Sequence, residues 1–129
     1  MIKKIETKEA PPAIGPYSQA VQAGDFIFIS GQIPLVPETG EIIKGDINEQ
    51  TKQVLQNLEA IAKAAGTELK NTVKTTIFLR SMNDFAIVNE IYSRFFTDHK
   101  PARTTVEASA LPKNVLVEID AIIYAGYSS

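Results

Sequence analysis

The first third of the chain alternates apolar and polar residues in a pattern that predicts three strands. Ile2 to Thr7 has the pattern of a short edge strand, and Ser18 to Ala23 and Phe26 to Ile33 have that of a hairpin. Ala23-Gly24-Asp25 supplies the turn chemistry between the last two. Ala10 to Pro16 contains three prolines, which cannot donate to a strand ladder, so we expect a loop there.

Two later segments repeat apolar residues with helical spacing. Asp46 followed by Glu49 predicts an N-cap with a reciprocal carboxylate, and Gly66 predicts the end of the first helix. Its apolar face comprises Val54, Leu58, Ile61 and Ala65. The second helix is expected from Asp84 to Thr97, because Pro101 prevents it from continuing far. Its apolar face comprises Phe85, Val88, Tyr92 and Phe95.

Three further strands are predicted at Thr72 to Leu79, Arg103 to Ala108 and Val115 to Ala125. The order β-β-β-α-β-α-β-β contains two strand-helix-strand passages, whose right-handed crossovers place both helices on one face of a mixed sheet. We therefore expect an α+β fold. At 129 residues the chain has the size of one domain, spanning residues 1–129.

The other face of the sheet has no predicted cover. The last strand carries apolar residues on both sides, with Val115, Val117, Ile119, Ala121 and Ile123 on one and Leu116, Ile122 and Tyr124 on the other. Apolar residues on an uncovered face imply a partner surface. We expect a homo-oligomer that packs sheet against sheet.

The composition excludes several classes of protein. Hydrophobic residues make up 44% and charged residues 22%, as in soluble globular proteins. The net charge of -2 argues against nucleic acid as a partner, because such sites need clustered Lys and Arg. With no cysteine and one histidine, neither a disulfide framework nor a thiolate or imidazole metal site is expected. The sequence has neither an apolar run of roughly 20 residues nor a signal-peptide pattern, so we expect a cytoplasmic protein without a membrane partner.

Functional groups concentrate in three stretches, Gly15 to Ala20, Ser30 to Pro34 and Pro101 to Glu107, and the last is completed by Val117 to Ala121. The runs IGPYSQAV, FISGQIP, MNDFAIVNEIY, PARTTVEASALP and VEIDAI resemble motifs of the RidA (YjgF/YER057c/UK114) family in their order and spacing. The resemblance extends over nearly the whole chain.

That resemblance implies a chorismate-mutase-like (YjgF-like) fold and a homotrimer with sites in the clefts between neighbouring subunits. It also implies the activity of a 2-iminobutanoate/2-iminopropanoate deaminase. Such an enzyme hydrolyses the reactive imines and enamines that pyridoxal-phosphate-dependent threonine and serine dehydratases release, and it yields 2-oxo acids and ammonia. The reaction needs no cofactor in the protein itself.

Three residues are candidates for catalysis. Arg103 has a planar donor fork that suits a substrate carboxylate, although most arginines are surface residues. Glu118 lies among apolar residues, where desolvation raises the pKa of a general base; the alternative is a solvent-facing position on an edge strand. Tyr17 follows Pro16 and either lines the pocket or packs at a loop-strand junction. The resemblance favours the functional interpretation of all three.

Four more residues are candidates for substrate binding. Gly31, next to Ser30, lacks a Cβ and so lets a ligand approach backbone amides, unless it serves a bulge or turn. Asn89 either hydrogen-bonds into the cleft or lies on the helix surface. Thr105 stands where many family members carry cysteine; it excludes thiol-dependent behaviour but retains a backbone N–H and a hydroxyl.

Three other polar residues are given no catalytic role. His99 follows Asp98 near a predicted helix end, where an imidazole commonly binds the last carbonyls. Glu107 and Asp120 could form carboxylate pairs with Glu118 in some strand registers, but the sequence does not determine the register.

The resulting hypothesis is that Arg103 holds the substrate carboxylate while Glu118 orients a water against the imine carbon. Tyr17 and the backbone at Ser30 and Gly31 would then stabilise the carbinolamine. One alternative is a single-stranded RNA endoribonuclease or translation inhibitor, as family members have also been described, although the weak charge opposes it. The other is a non-enzymatic metabolite-binding regulator or holdase, which would bind a ligand without turnover.

Overall fold

The computed structural model describes residues 1–126, which form one sheet of six strands and two α-helices. The strands are β1 (Ile2–Ile5), β2 (Ala20–Ala23), β3 (Phe26–Gln32), β4 (Thr72–Leu79), β5 (Ala102–Glu107) and β6 (Val117–Tyr124). The helices are α1 (Ile47–Ala64) and α2 (Phe85–Phe95). The element order is the one predicted.

The sheet has the strand order β1-β2-β3-β6-β4-β5. All neighbouring strands are antiparallel except β4 and β5, which are parallel and joined by α2. This confirms the mixed α+β sheet. The last strand in sequence, β6, lies in the middle of the sheet, and β5 forms one edge.

Both helices pack on the same face of the sheet. Along β6 the burial alternates, and Val117, Ile119, Ala121 and Ile123 point into a single core. The same core contains Leu55 and Leu58 of α1 and Val88 and Ile91 of α2. The prediction of two helices on one face is therefore confirmed.

The opposite face carries no helix within residues 1–126. Its aromatic and aliphatic side chains are partly open to solvent, with Phe26 at 39%, Phe28 at 42% and Val106 at 40% exposure. On β6 the half-buried Ile122 and Tyr124 belong to this face. We call it the open face. Among the described residues, no helix combines the length and the apolar character needed to cross a membrane.

Helix α1 begins with the predicted capping box. The Asp46 carboxylate accepts a hydrogen bond from the Asn48 N–H at 3.0 Å, and Glu49 accepts one from the Asp46 N–H at 3.1 Å. Gly66, just past the helix, has a φ of +81°, a left-handed conformation that favours glycine. The local signals at both ends of α1 were thus sufficient to place it.

Helix α2 is shorter than predicted at both ends. Asp84 lies in a short 3-10 turn and makes no capping hydrogen bond with its side chain. The helix ends at Phe95 because Phe96 leaves the helical conformation, at φ -120° and ψ 72°. Phe96 is 2% exposed and its ring packs 4.5 Å from that of Tyr92, so Phe96 and not Phe95 is the buried residue at this end.

Two strands also begin later than predicted. β2 begins at Ala20 because the side chain of the preceding Gln19 turns inward to bind loop backbone. β6 begins at Val117 because a 3-10 turn precedes it, with Lys113 and Asn114 at positive φ. The N–H of Leu116 donates to the Gln50 side chain of α1 at 2.8 Å instead of pairing with a strand.

Candidate functional site

Arg103 lies at the edge of the sheet and reaches toward helix α2. Arg103 is the second residue of β5, and the residue opposite it on β4 is the buried Thr75. Its Nη1 donates to the Asn89 Oδ1 at 2.7 Å. The guanidinium carbon also lies 5.0 Å from the ring centroid of Tyr92 and 5.5 Å from that of Phe85. Helix α2 therefore holds the arginine on the helix-covered face.

Tyr92 supports this arrangement from inside the core. It is 6% exposed, and its hydroxyl forms a 2.7 Å hydrogen bond with the Thr75 Oγ1. Burial raises the pKa of the phenol, and the hydrogen bond to Thr75 and the positive charge of Arg103 only partly oppose this. The ring is thus a neutral, fixed surface beneath the guanidinium.

The free edge of β5 presents backbone donors beside Arg103. The N–H of Ala108 donates to the Leu79 carbonyl at 2.8 Å. In a parallel ladder the direction of the backbone groups alternates, so the N–H groups of Arg103 and Thr105 point away from β4. Because β5 is the last strand of the sheet, these N–H groups have no strand partner within residues 1–126.

The side chain of Thr105 has an unusual environment. Its hydroxyl oxygen is buried and has no hydrogen-bond partner within the described part of the chain. An unpaired buried hydroxyl is uncommon, because most buried side-chain polar atoms have a hydrogen-bond partner. Thr105 is two residues from Arg103 on the same strand and on the same face.

A cleft of about 400 Å³ opens beside the arginine, between α2 and the segment that leads into β5. Its lining residues are Asn89, Tyr92, Ser93, Phe96, Lys100, Pro101 and Arg103. Two of them are cationic and none is acidic. The cleft, the guanidinium and the free N–H groups together form a site suited to an anion, which we call the arginine half-site.

Glu118 lies elsewhere, on the open face near the centre of the sheet. Its side chain is half-buried and points to the opposite face of the sheet from those of the core residues Val117 and Ile119. A Cβ built on Gly31 would overlap the Glu118 Oε2 and lie 3.0 Å from its Cδ. Gly31 also falls within a β-bulge of β3, where the register with β6 shifts between Ile29 and Gln32. Gly31 therefore lies at a bulge, as one of the two sequence-based interpretations expected, and it makes room for the Glu118 side chain; the approach of a ligand to its backbone amides stays a prediction.

Burial raises the pKa of Glu118, and repulsion from Asp120 raises it further. Glu118 forms no hydrogen bond or salt bridge through its side chain within residues 1–126, whereas Asp120 accepts one from the Thr76 N–H at 3.1 Å. A partly desolvated carboxylate with no committed donor is suited to accept a proton near neutral pH. Asp120 lies two residues along β6 on the same face as Glu118, and its hydrogen bond leaves it less free than Glu118.

The loop that carries Tyr17 is fastened beside Gly31. The Ser30 Oγ donates to the Ser18 carbonyl at 2.6 Å, and the Ser30 N–H donates to the Gln19 carbonyl at 2.9 Å. Tyr17 itself is 55% exposed. We call Glu118, Gly31, Ser30 and Tyr17 the glutamate half-site.

The two half-sites lie on opposite faces of the sheet within one protomer. Arg103 is on the helix-covered face, as its contact with α2 shows, whereas Glu118 is paired with Phe78 on the open face. Strand β4 lies between them, so the lateral separation alone is two strand spacings, about 10 Å. The side chains of Arg103 and Glu118 therefore do not converge on one side of the sheet.

Other polar residues of the motifs have structural partners. Glu107 accepts a hydrogen bond from the Met82 N–H at 2.8 Å. His99 binds the Thr72 carbonyl of β4 at 2.9 Å, so the expectation that it binds helix-end carbonyls was wrong. Neither side chain is part of a half-site.

Sequence reasoning missed the role of Gln19, which lies in the stretch Gly15 to Ala20, two residues after the candidate Tyr17. It is 3% exposed, and its Nε2 donates to the carbonyls of Thr7, Ala10 and Pro11. Its Oε1 accepts from the Thr7 N–H at 2.7 Å. The sequence did contain a signal for this role. Because prolines have no backbone N–H, the proline-rich loop has few backbone donors, and a side chain has to donate to its carbonyls.

The fold and the two half-sites define a class of small α+β proteins with an arginine at a sheet edge and a glutamate on the helix-free face. Residues 7–125 match the family model described as Endoribonuclease L-PSP. The chain belongs to this family, which is the YjgF/RidA family. The resemblance seen in the sequence motifs is confirmed.

Relatives with curated names include two of high identity. A RutC family protein of Pyrococcus horikoshii, PH0854, is 57% identical over 124 residues, which cover 96% of this chain and 98% of the relative. The mouse protein named 2-iminobutanoate/2-iminopropanoate deaminase is 51% identical over 124 residues, covering 96% of this chain and 92% of the relative.

Solved structures agree with the fold. The Rid-family protein YyfA of Yersinia pestis has a TM-score of 0.94 at 50% identity and covers 96% of this chain and 99% of its own. TdcF of E. coli, solved with bound serine, has a TM-score of 0.90 at 46% identity and covers 95% of this chain and 98% of its own.

Proposed function

We propose that this protein is a 2-iminobutanoate/2-iminopropanoate deaminase that works as a homotrimer in the cytoplasm. The substrate is a small 2-imino acid released by a pyridoxal-phosphate-dependent dehydratase. Water replaces the imine nitrogen, so that a 2-oxo acid and ammonia leave. Homologues of about 50% identity that carry this name support the activity.

The observation that carries the proposal is the placement of Arg103 and Glu118 on opposite faces of one protomer. Each half-site is chemically incomplete alone, because one binds a carboxylate and the other activates water. If the open face of one protomer packs against the edge of its neighbour, the neighbour's arginine half-site meets the glutamate half-site. The exposed aromatic residues of the open face favour such packing.

In the complete site, the Arg103 guanidinium binds the substrate carboxylate through its planar donor fork. The outward N–H of Thr105 supplies a further donor at the strand edge, and the Thr105 hydroxyl gains the partner that it lacks in the protomer. This binding places the imine carbon at a fixed distance from the partner surface.

From the neighbouring protomer, Glu118 accepts a proton from a water as the water oxygen bonds to the imine carbon. Glu118 returns this proton to the imine nitrogen, which gives a carbinolamine, and the hydroxyl proton of the carbinolamine then moves to the same nitrogen through the carboxylate. When the carbon–nitrogen bond breaks, ammonia leaves and the carbonyl of the 2-oxo acid forms. Tyr17 and the backbone at Gly31 line this half-site and stabilise the intermediate. General-base help of this kind contributes about 10² to 10⁴-fold.

The proposal is tested by supplying the imine from threonine through a threonine dehydratase, in the presence of an amine that traps free imine. Parental protein should divert imine from the trap to 2-oxobutanoate, and Arg103→Lys should lower this by about 10-fold or more, because the bidentate grip is lost. Light scattering should give the mass of a trimer. A monomer at micromolar concentration, or unchanged trapping, would reject the proposal.

A metabolite-binding regulator is the second candidate, since the solved structure of TdcF contains bound serine. It predicts ligand binding with no change in imine trapping, so the same assay distinguishes it. An RNA-acting protein, as the family description suggests, is opposed by 15 acidic against 13 basic residues. If an activity that cleaves single-stranded RNA co-elutes with the oligomer, the argument against an RNA-acting protein would be contradicted.

A further inference from the structure

We propose that Asn89, Phe85 and Tyr92 form a neutral clamp, which positions the Arg103 guanidinium without cancelling its charge. The inference rests on the proposed function, in which Arg103 binds the substrate carboxylate. The three clamp residues are positioning residues, since they act on the substrate only through Arg103.

The clamp makes three contacts and none of them involves an anion. The Asn89 amide oxygen accepts from Nη1 at 2.7 Å, and the two rings lie 5.0 and 5.5 Å from the guanidinium carbon. An amide oxygen and an aromatic face both attract a cation while leaving its net charge intact. Arg103 forms no salt bridge within residues 1–126.

The same helix shows the contrasting arrangement. Arg94 is paired with Glu90 at 2.6 Å, one turn apart on the exposed surface of α2. Glu90 immediately follows Asn89 in the sequence, yet its carboxylate is directed to Arg94 and not to Arg103. Glu90 therefore forms an ion pair with Arg94 and not with Arg103.

The Tyr92 ring cannot easily leave its place. Its hydroxyl is bound to Thr75, which is fully buried and is the register partner of Arg103 in the adjacent strand. The Phe96 ring packs against it at 4.5 Å. One strand therefore carries the arginine, and its neighbour fixes the ring beneath it, which limits the rotamers that the long side chain can adopt.

A clamp of this kind has a clear advantage for anion binding. A carboxylate in place of Asn89 would position the guanidinium equally well, but it would compete with the substrate for the same charge. With a neutral clamp the free donors of Arg103 keep their full attraction for the ligand. We therefore expect that a negative charge in the clamp weakens substrate binding even where it raises the stability of the protein.

The main test is Asn89→Asp, which keeps the shape and the acceptor oxygen but adds an anion. The dissociation constant of 2-oxobutanoate, measured by titration calorimetry on the intact oligomer, should rise about fivefold or more, while the melting temperature stays the same or rises. Asn83→Asp, on the exposed turn before α2, adds the same charge without touching Arg103 and is the matched control. An unchanged dissociation constant in Asn89→Asp would overturn the proposal.

The ring contact is tested by Tyr92→Leu, which should raise the dissociation constant of 2-oxobutanoate by about 2- to 30-fold, the range of an arginine–aromatic contact. Tyr92→Phe keeps the ring and should recover most of the affinity, although its melting temperature falls because Thr75 loses its partner. Phe95→Leu, on the same helix but away from Arg103, is the control for general destabilisation. Equal weakening in Tyr92→Phe and Tyr92→Leu would contradict a role for the ring.

These results are distinguishable from a failure of the proposed function. If Arg103→Lys binds 2-oxobutanoate as tightly as the parental protein, the arginine does not bind the carboxylate and the function fails. If Arg103→Lys weakens binding but Asn89→Asp does not, the function stands and the neutral clamp is wrong.

Discussion

A single added methyl group at Gly31 should disable the glutamate half-site while leaving the fold intact. A Cβ at this position would overlap the Glu118 Oε2 and lie 3.0 Å from Cδ and 3.2 Å from Cγ. Gly31 does not have a positive φ, so alanine fits its backbone without strain. The conflict is therefore confined to the flexible end of the Glu118 side chain, which has to swing away.

The size of the effect follows from that displacement. To reach an ordinary van der Waals separation, the carboxylate must move by about 1 Å, and a misplacement of that size costs about 10²-fold in rate. This corresponds to about 2.7 kcal/mol of transition-state stabilisation. Since the Arg103 half-site is untouched, the affinity for 2-oxobutanoate should change much less than turnover.

The assay is imine diversion in the presence of the amine trap, with Gly31→Ala, Glu118→Gln and the double variant compared at equal oligomer concentration. In the Glu118→Gln background, adding Gly31→Ala should have little further effect, because the group that it displaces has already lost its function. Parental turnover in a folded Gly31→Ala oligomer would refute the role given to the Glu118 carboxylate. So would fully additive losses in the double variant.

Two further variants test the same structure. Glu118→Gln should lower turnover by about 10² to 10⁴-fold. It should also remove the acid limb of the pH profile, which in the parental protein is shifted upward because the pKa of Glu118 is raised by burial. Because the pKa of Glu118 is raised in the folded protein, folding favours its protonated form, and stability is lost as the pH rises through the pKa of the folded state. Glu118→Gln should therefore raise the melting temperature at about pH 8 but not at about pH 4. A lower melting temperature at about pH 8 would contradict this. Gln19→Ala should reduce the free energy of unfolding by about 2 to 4 kcal/mol in denaturant titrations, since it leaves the carbonyls of Ala10 and Pro11 without a donor. A loss below about 0.5 kcal/mol would show that these hydrogen bonds are dispensable.

The local features of the fold were predictable because their signals lie within a few residues of one another. The capping box of α1 requires only Asp46 and Glu49, and the helix end requires only Gly66. The alternation of β6 likewise revealed both of its faces. The errors fell at the ends of elements, where distant groups decide: the N–H of Leu116 binds Gln50 of α1 and so delays β6.

The half-sites were only partly predictable. Their residues could be named from the motifs, but the faces on which Arg103 and Glu118 lie depend on long-range strand order and register, which place β4 between β5 and β6. The environment of Asn89 shows the same limit. Its sequence permitted either a cleft or a surface role, and the structure shows it bound to Arg103, a contact that spans 14 positions.

Subunit complementation tests the central claim, that each site combines Arg103 of one protomer with Glu118 of another. Arg103→Lys and Glu118→Gln chains with different affinity tags are co-expressed, and oligomers that contain both are purified. In a cyclic trimer that contains both chains, one intersubunit site in three has both native residues, so mixed oligomers should recover about one third of the parental deaminase activity. Mixed oligomers with no more activity than the two variants measured separately would show that the site lies within a single protomer and would contradict the account.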